Sequence, residues 1–289
     1  MRNCVFLTLD DPAGYTMDDH LAHQPLRELG WRVEPVPWRR PGVNWAASDA
    51  VVIRSTWDYT QAPDAFLAVL GDIERAGTPL FNGLELVRWN IRKTYLRDLA
   101  EREVPVVPTV WRDRLSPGEL PRLVDEVGTA EVVVKPVVGA SAGGAFRVDA
   151  RNVTAQAAVE AYYSDRALMA QPFLEAITAE GEFSIFYFNG EHSHTILKTP
   201  KPADFRVQEE HGGTIRAVQA GPALLAAGDA ALRALGEAPL YARADFVRSN
   251  DGDGFWLMEL ELIEPSLYLR MDPRAPGRFA QAFHERATR

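Results

Sequence analysis

The sequence predicts an α/β protein, and three observations carry that reading. Short apolar runs at residues 4–9 (CVFLTL) and 50–54 (AVVIR) flank a helix-like segment at 20–29 that Gly30 closes. This strand, helix, strand order is that of a parallel α/β unit. Paired β-like runs dominate the later part, and Asn189-Gly190, between FSIFYF and EHSHTILK, is the strongest hairpin signal. Finally, 289 residues with 46% hydrophobic and 25% charged side chains have the balance and length for two or three buried cores.

The same numbers exclude several classes. With 31 Lys and Arg against 40 Asp and Glu, the net charge is −9, so no broad basic face for nucleic acid is expected. The opening MRNCVFLTLDDP is too short an apolar run for a signal peptide or a membrane span. Cys4 is the one cysteine, so neither an intrachain disulfide nor a cysteine-rich zinc site is expected, which fits a reducing cytoplasm.

Along the chain, a helix at 65–76 stopped by Gly77 and a strand end at 78–81 complete a first domain, 1–88. No GxGxxG follows its first strand, so an ordinary dinucleotide site is not expected. Asn90 reads as the N-cap of a helix with Ile91, Tyr95 and Leu99 at spacing four, ended by the prolines of VPVVPT. EVVVKP (131–136), GASAGG (139–144) and FRV (146–148) form a hairpin with a glycine-rich tip. A helix at 153–163 and a strand at 167–175 complete a second unit, 89–174. In the third, 175–289, the Asn189-Gly190 hairpin and a helix at 222–235 precede a last hairpin, YARADFV and FWLMELELIE joined by RSNDGDG, and a helix beyond Pro273.

The last hairpin carries the most chemistry. Side chains alternate faces along a strand, so Arg243 and Asp245 share a face, as do Glu259 and Glu261, with Trp256, Met258, Leu260 and Leu262 on the other. A turn centred near Asp251 would set Arg243 opposite Glu259 and Asp245 opposite Leu257. Three adjacent carboxylates repel unless a cation neutralises them, and oxygen-only ligands point to Mg2+ rather than zinc. A solvent-facing strand with cross-strand ion pairs has the same pattern. NDGDG is read as a turn, because a calcium loop counted from Gly254 would need a Glu where Leu260 stands. Lys93, in the first turn of its helix, opposes the helix dipole and needs an anion nearby. Lys135 precedes the glycine-rich loop, whose backbone N–H groups can approach a polyphosphate.

In order, these pieces resemble the ATP-grasp superfamily: Lys93, Lys135 before a glycine-rich hairpin, a hinge ending in QPFLE, Glu182, then RAD and MELE. The resemblance implies an ATP-grasp fold, with a Rossmann-like pre-ATP-grasp domain preceding two lobes that clasp ATP. It implies that Lys93, Lys135 and the loop residues Gly139, Ser141 and Gly143 bind nucleotide phosphates. Gln171, Phe173 and Leu174 would meet adenine, Glu182 the ribose, and Asp245, Glu259 and Glu261 magnesium. Glu261 stands where the family usually has Asn. Lys198, Arg206, Gly212 and Gly213 reproduce a spacing found in glutathione synthetases, where such a loop covers the γ-phosphate. RSTWDY (54–59), LVRWNIRKTYL (86–96) and ELELIEPSLYL (259–269) resemble the cyclo-ligases that close O-ureido-D-serine to D-cycloserine. Glu103 departs from the Gly common in relatives, and a local backbone change is expected there.

The activity implied is ATP-dependent C–N ligation through an acyl phosphate, with Lys198, Arg206 and Arg243 beside the transferring phosphoryl group. The cofactors implied are ATP and Mg2+, and the substrate is a small amino-acid-like molecule held near Arg54, Ser55, Thr56 and Trp57, with Arg270 assisting. Joining two separate molecules, and ATP binding without turnover, are the alternatives. A homodimer or homotetramer is an open expectation. No catalytic role is expected for Cys4, His192 or His194.

Overall fold

In the computed structural model, which describes residues 1–139, 143–149, 153–202, 204–250, 252 and 254–289, the first domain is a parallel sheet. It is built from β1 (Arg2–Thr8), α1 (His23–Glu28), β2 (Trp31–Pro37), β3 (Ala50–Ser55), α2 (Pro63–Arg75) and β4 (Leu80–Phe81), in strand order β2-β1-β3-β4. The central strands are buried on both faces, which explains why β3 (AVVIRS) reads as a continuous apolar run. The sequence reading missed β2 (WRVEPVP) because Pro35 and Pro37 interrupt its strand pattern. An edge strand tolerates them, since proline lacks only a ladder donor that the outer side does not use.

Two short helices follow, α3 (Leu84–Asn90) and α4 (Tyr95–Glu101). The single helix expected from Asn90 is therefore corrected: Asn90 ends α3 and caps nothing. Its side chain donates to Leu260 O at 2.8 Å and accepts from Leu262 N at 3.0 Å. The Lys93 N–H donates to Val137 O at 2.8 Å. These bonds to other segments outcompete helix continuation across 91–94. Beyond α4, Glu103 has φ 62°, a left-handed conformation that suits glycine.

The small lobe holds β5 (Val110–Arg112), α5 (Leu120–Val127), β6 (Glu131–Pro136), β7 (Phe146–Asp149), α6 (Val153–Tyr162) and β8 (Leu168–Pro172). Its antiparallel sheet has the order β5-β8-β6-β7. The C-terminal lobe holds α7 (Glu175–Ala179), β9 (Glu182–Phe188), β10 (Glu191–Thr199), β11 (Thr214–Val218), α8 (Pro222–Arg233), β12 (Tyr241–Arg248), β13 (Phe255–Glu261) and α9 (Ala275–Ala287). Its antiparallel sheet runs β11-β10-β9-β12-β13. Asn189 and Gly190 have φ 51° and 82°, the two positive values a two-residue type I′ turn requires. Helix α9 returns to the first domain, where Phe279 and Phe283 pack with Phe6 and Trp31 in a core that also takes in Phe186 and Tyr241. First domain and C-terminal lobe thus share one core.

Candidate active site

The β12–β13 hairpin pairs Arg243 with Glu261 and Asp245 with Glu259, corrected by two residues from the expected register. The turn is one residue longer than assumed, and an irregularity between Asp245 and Phe246 adds another, leaving Met258 without a partner. That bulge resets the alternation, so Met258, expected on the far face, lines the same cavity as the acids. The carboxylates of Asp245, Glu259 and Glu261 converge, with ligand oxygens within 4.8 Å of one another. An all-oxygen set of this kind suits a hard divalent cation such as Mg2+.

Why Lys93 meets this cluster follows from the edge of β13. The outer edge of a sheet offers unpaired backbone groups, and here the α3–α4 segment satisfies them. Asn90 bonds Leu260 and Leu262, and the Tyr95 hydroxyl accepts from Leu260 N at 2.9 Å. Further along, Val107 N and Pro105 O bond Leu257. The turn between the two helices is thereby held against β13, and Lys93 forms an ion pair with Glu259. Burial opposes the Lys93 charge, but Glu259 outweighs it and holds the amine above its ordinary pKa.

The other cations arrive from three strands. On β12, Arg243 binds Asp245 at 3.0–3.1 Å and also pairs with Glu261. Lys198 on β10 binds Glu182 at 2.8 Å and Asp245 at 3.4 Å, and the Ser184 hydroxyl donates to Asp245. Burial would raise the Asp245 carboxyl, but Arg243 and Lys198 override it and hold its pKa at about 2. Glu261 moves the other way: burial, reinforced by Glu259 and Asp245 against Arg243, pushes it up to about 7. Lys135, at the end of β6, donates to Gln171 at 3.2 Å and is lowered by burial. A half-buried amine whose charge is disfavoured by burial more than it is supported by its acidic neighbours favours an anionic ligand.

Together with Gly139, Gly143, Gln171, Phe173 and Leu174, these side chains line one cavity between the lobes. A Cβ on Gly139 would come within 2.9 Å of Pro136, so glycine keeps the strand-to-loop turn tight. Ser141 lies outside the described residues. Phe173 is covered on one side by the Arg147 guanidinium, 3.6 Å from the ring centre. Arg206 lines the same cavity with its guanidinium held by Asp204 at 2.9 Å.

The expected acceptor residues divide. Trp57 lines the cavity. Arg54 does not: it is 1% exposed, binds Asp19 at 2.9 Å and Pro265 O at 2.8 Å, and lies over the Tyr241 ring. It is a buried cation that ties the first domain to the C-terminal lobe. Ser55 and Thr56 are fully buried and also stand off the cavity. Arg270 bridges Asp18 at 2.8 Å and Glu209 at 2.6 Å, holding the 198–213 segment to the first domain without reaching the cavity wall. His192 and His194 sit in β10, where His194 stacks on Phe186 and bonds Leu267 O. Cys4 is buried.

Sequence reasoning missed Glu264 and Tyr15. Glu264 is 7% exposed and lines the cavity, and burial with Glu261 nearby pushes its carboxyl up to about 8. It lies past the end of β13, so strand alternation gave no reason to group it with Glu259 and Glu261.

Comparison with known proteins fixes the family. Residues 4–82 match the family described as D-cycloserine synthetase DcsG, N-terminal domain, and residues 116–224 match prokaryotic glutathione synthetase, ATP-grasp domain. The cycloserine biosynthesis protein DcsG of Streptomyces lavendulae is 33% identical, with 95% of each chain covered. The chain belongs to the D-cycloserine synthetase family of ATP-grasp ligases. A crystal structure of D-cycloserine synthetase DcsG superposes with TM-score 0.84 at 30% identity over 99% of both chains. D-alanine–D-alanine ligase from Bacillus anthracis complexed with ATP shares the fold, with TM-score 0.68 at 14% identity, over 100% of this chain and 98% of that one. As a member of the family the protein is an ATP-dependent enzyme that forms carbon–nitrogen bonds. Among the described residues, no helix is long and apolar enough to cross a membrane.

Proposed function

We propose that this ligase is an intramolecular cyclo-ligase acting on an O-ureidoserine-type amino acid, in the manner of D-cycloserine formation. The observation that carries the reading is one cavity in which an oxygen-only acid triad, four cations (Lys198 and Arg243 buried, Lys93 and Lys135 half-buried) and an aromatic wall from the first domain meet. Likeness to DcsG along the whole chain supports it.

In this reading Lys93, Lys135, Gly139 and Gly143 hold the nucleotide phosphates, Gln171, Phe173 and Leu174 the adenine, and Glu182 the ribose. Asp245, Glu259 and Glu261 hold magnesium. Bound magnesium-ATP supplies the phosphoryl group that turns the substrate carboxylate into an acyl phosphate, with its charge screened by the metal. The chain's part is positioning and charge. Arg243 and Lys198, fixed by Asp245 and Glu182, present donors whose geometry is set before substrate arrives, so no reorganisation is needed as negative charge develops. Arg206 approaches from the loop side. The ureido nitrogen then attacks the activated carbonyl, phosphate leaves, the nitrogen gives up its proton and the five-membered ring closes; water then cleaves the bond from the ring nitrogen to the carbamoyl carbon, the nitrogen takes a proton and carbamate departs. As a consumer of ATP the enzyme is read as cytoplasmic.

Mass analysis of the products tests the proposal. Cyclisation gives a product derived from one substrate molecule by loss of water, and then of the carbamoyl group. A product whose mass is that of two molecules less one water would replace the proposal with intermolecular ligation.

A further inference from the structure

Every acid in the cavity described so far has a fixed cation. Lys93 pairs with Glu259, Arg243 with Asp245 and Glu261, and Lys198 with Glu182. Glu264 differs. Among the described residues its carboxylate makes no ion pair and no hydrogen bond to another side chain, although the residue is 93% buried. Nor does it belong to the group of acids whose oxygens converge within 4.8 Å. Without an ion pair in such a place the group keeps its proton, and a cation seated beside it would stabilise the carboxylate.

What surrounds Glu264 indicates the missing partner. The Trp57 indole N–H donates to the Glu264 carbonyl oxygen at 2.9 Å, which fixes that ring beside the residue. Tyr15 leans on Trp57 with ring centres 4.9 Å apart and 38° between planes, and both rings line the cavity. A carboxylate beside aromatic faces recognises a small cation, through an ion pair on one side and ring quadrupoles on the other. Tyr15 and Trp57 come from the first domain and Glu264 from the C-terminal lobe. Glu264 lies three positions after Glu261, so their Cα atoms are at most about 10 Å apart. A compact molecule can therefore touch both Glu264 and the phosphoryl-transfer groups.

Resting on the ligase reading above, we propose that Glu264 anchors the substrate's ammonium group, with Trp57 and Tyr15 as the walls of that subsite. The enzyme thereby selects molecules that carry a free amine beside the carboxylate it activates. Glu264 is then a specificity residue. The amine it binds stays out of the reaction, held away from the carbonyl that the ureido nitrogen must reach.

The test is calorimetric titration of the protein, loaded with Mg2+ and a non-hydrolysable ATP analogue. The ligands are O-ureidoserine and the same compound with its amine replaced by hydrogen. The wild type should bind the amine-bearing compound about 10- to 100-fold more tightly, the range of a charged hydrogen bond. Glu264→Gln, which keeps the shape and removes the charge, should bring that preference below about threefold. Its melting temperature serves as the folding control. Trp57→Phe, which keeps a ring, should retain most of the preference. A wild type that binds both compounds equally or neither, or a Glu264→Gln variant that keeps the full preference, overturns the inference. ADP release measured in parallel separates this from the ligase reading. Amine-dependent binding without turnover leaves the subsite standing and removes the reaction, whereas equal turnover of both compounds does the reverse.

Discussion

The Lys198–Glu182 pair permits a stability prediction that does not depend on substrate. Both residues are nearly buried, at 3% and 8% exposure, and their charged atoms are 2.8 Å apart. Lys198→Met leaves Glu182 with no fixed cation and removes one of the two that hold Asp245. Breaking a buried pair from one side costs about 3–5 kcal/mol, because the remaining charge is stranded. For a chain of this length the unfolding entropy is about 0.6 kcal/mol per kelvin, so the melting temperature should fall by about 5–8 °C. The double variant Lys198→Met/Glu182→Gln strands no carboxylate at position 182 and should lose only about 1–2 kcal/mol. The cycle would then show a coupling energy of at least about 1 kcal/mol, larger by whatever Glu182→Gln loses alone. Urea unfolding of the four proteins without nucleotide measures it. A single-variant loss below about 1 kcal/mol, or a double-variant loss equal to the sum, would mean that the pair is solvated and the reasoning is wrong.

Two further predictions concern positions away from the nucleotide. Burial keeps His194 neutral by lowering its pKa from 6.5 to about 4. The unfolded chain therefore takes up a proton below pH 6.5 that the folded chain refuses until about pH 4. Stability from this residue is complete above pH 6.5 and falls by up to about 3 kcal/mol as the pH drops to 4. In His194→Gln, urea unfolding across pH 4–7 should be flatter, and an unchanged slope would count against the assignment. Glu103 holds φ 62°, so Glu103→Gly should stabilise the fold by about 0.5–1 kcal/mol despite glycine's entropic cost. A lower melting temperature would show that the Glu103 side chain compensates for its backbone.

The sequence carried some of this directly and hid the rest for identifiable reasons. The parallel first unit was legible because β1 and β3 are buried runs that few other structures produce. The Asn189-Gly190 hairpin was legible because its turn needs two positive φ angles. RAD and MELE revealed an acidic face, since alternation places Arg243 with Asp245 and Glu259 with Glu261 whatever the register. The register itself was not legible, because a bulge at Met258 has no signature in composition. The break between α3 and α4 was hidden as well: it arises from bonds that Asn90 and Lys93 make to residues 170 and 44 positions away. Arg54 was misread for the opposite reason. An arginine at a strand's carboxyl end looks like a ligand contact until Asp19 and Pro265 are seen to enclose it. Glu264 was read as the last residue of FWLMELELIE, where alternation sets it opposite Glu259 and Glu261, and its burial without an ion pair or side-chain hydrogen bond among the described residues is what distinguishes it.

The central claim is that the acid triad and its facing lysines form the machinery of ATP-dependent ligation. Coupled ADP release with O-ureidoserine, comparing the wild type with Lys135→Ala and Glu259→Gln, tests it most directly. Substrate-dependent ADP release should occur in the wild type and fall by at least about 100-fold in each variant, the scale of losing one preorganised charge contact, while both remain folded. Either variant turning over at the wild-type rate would contradict the account.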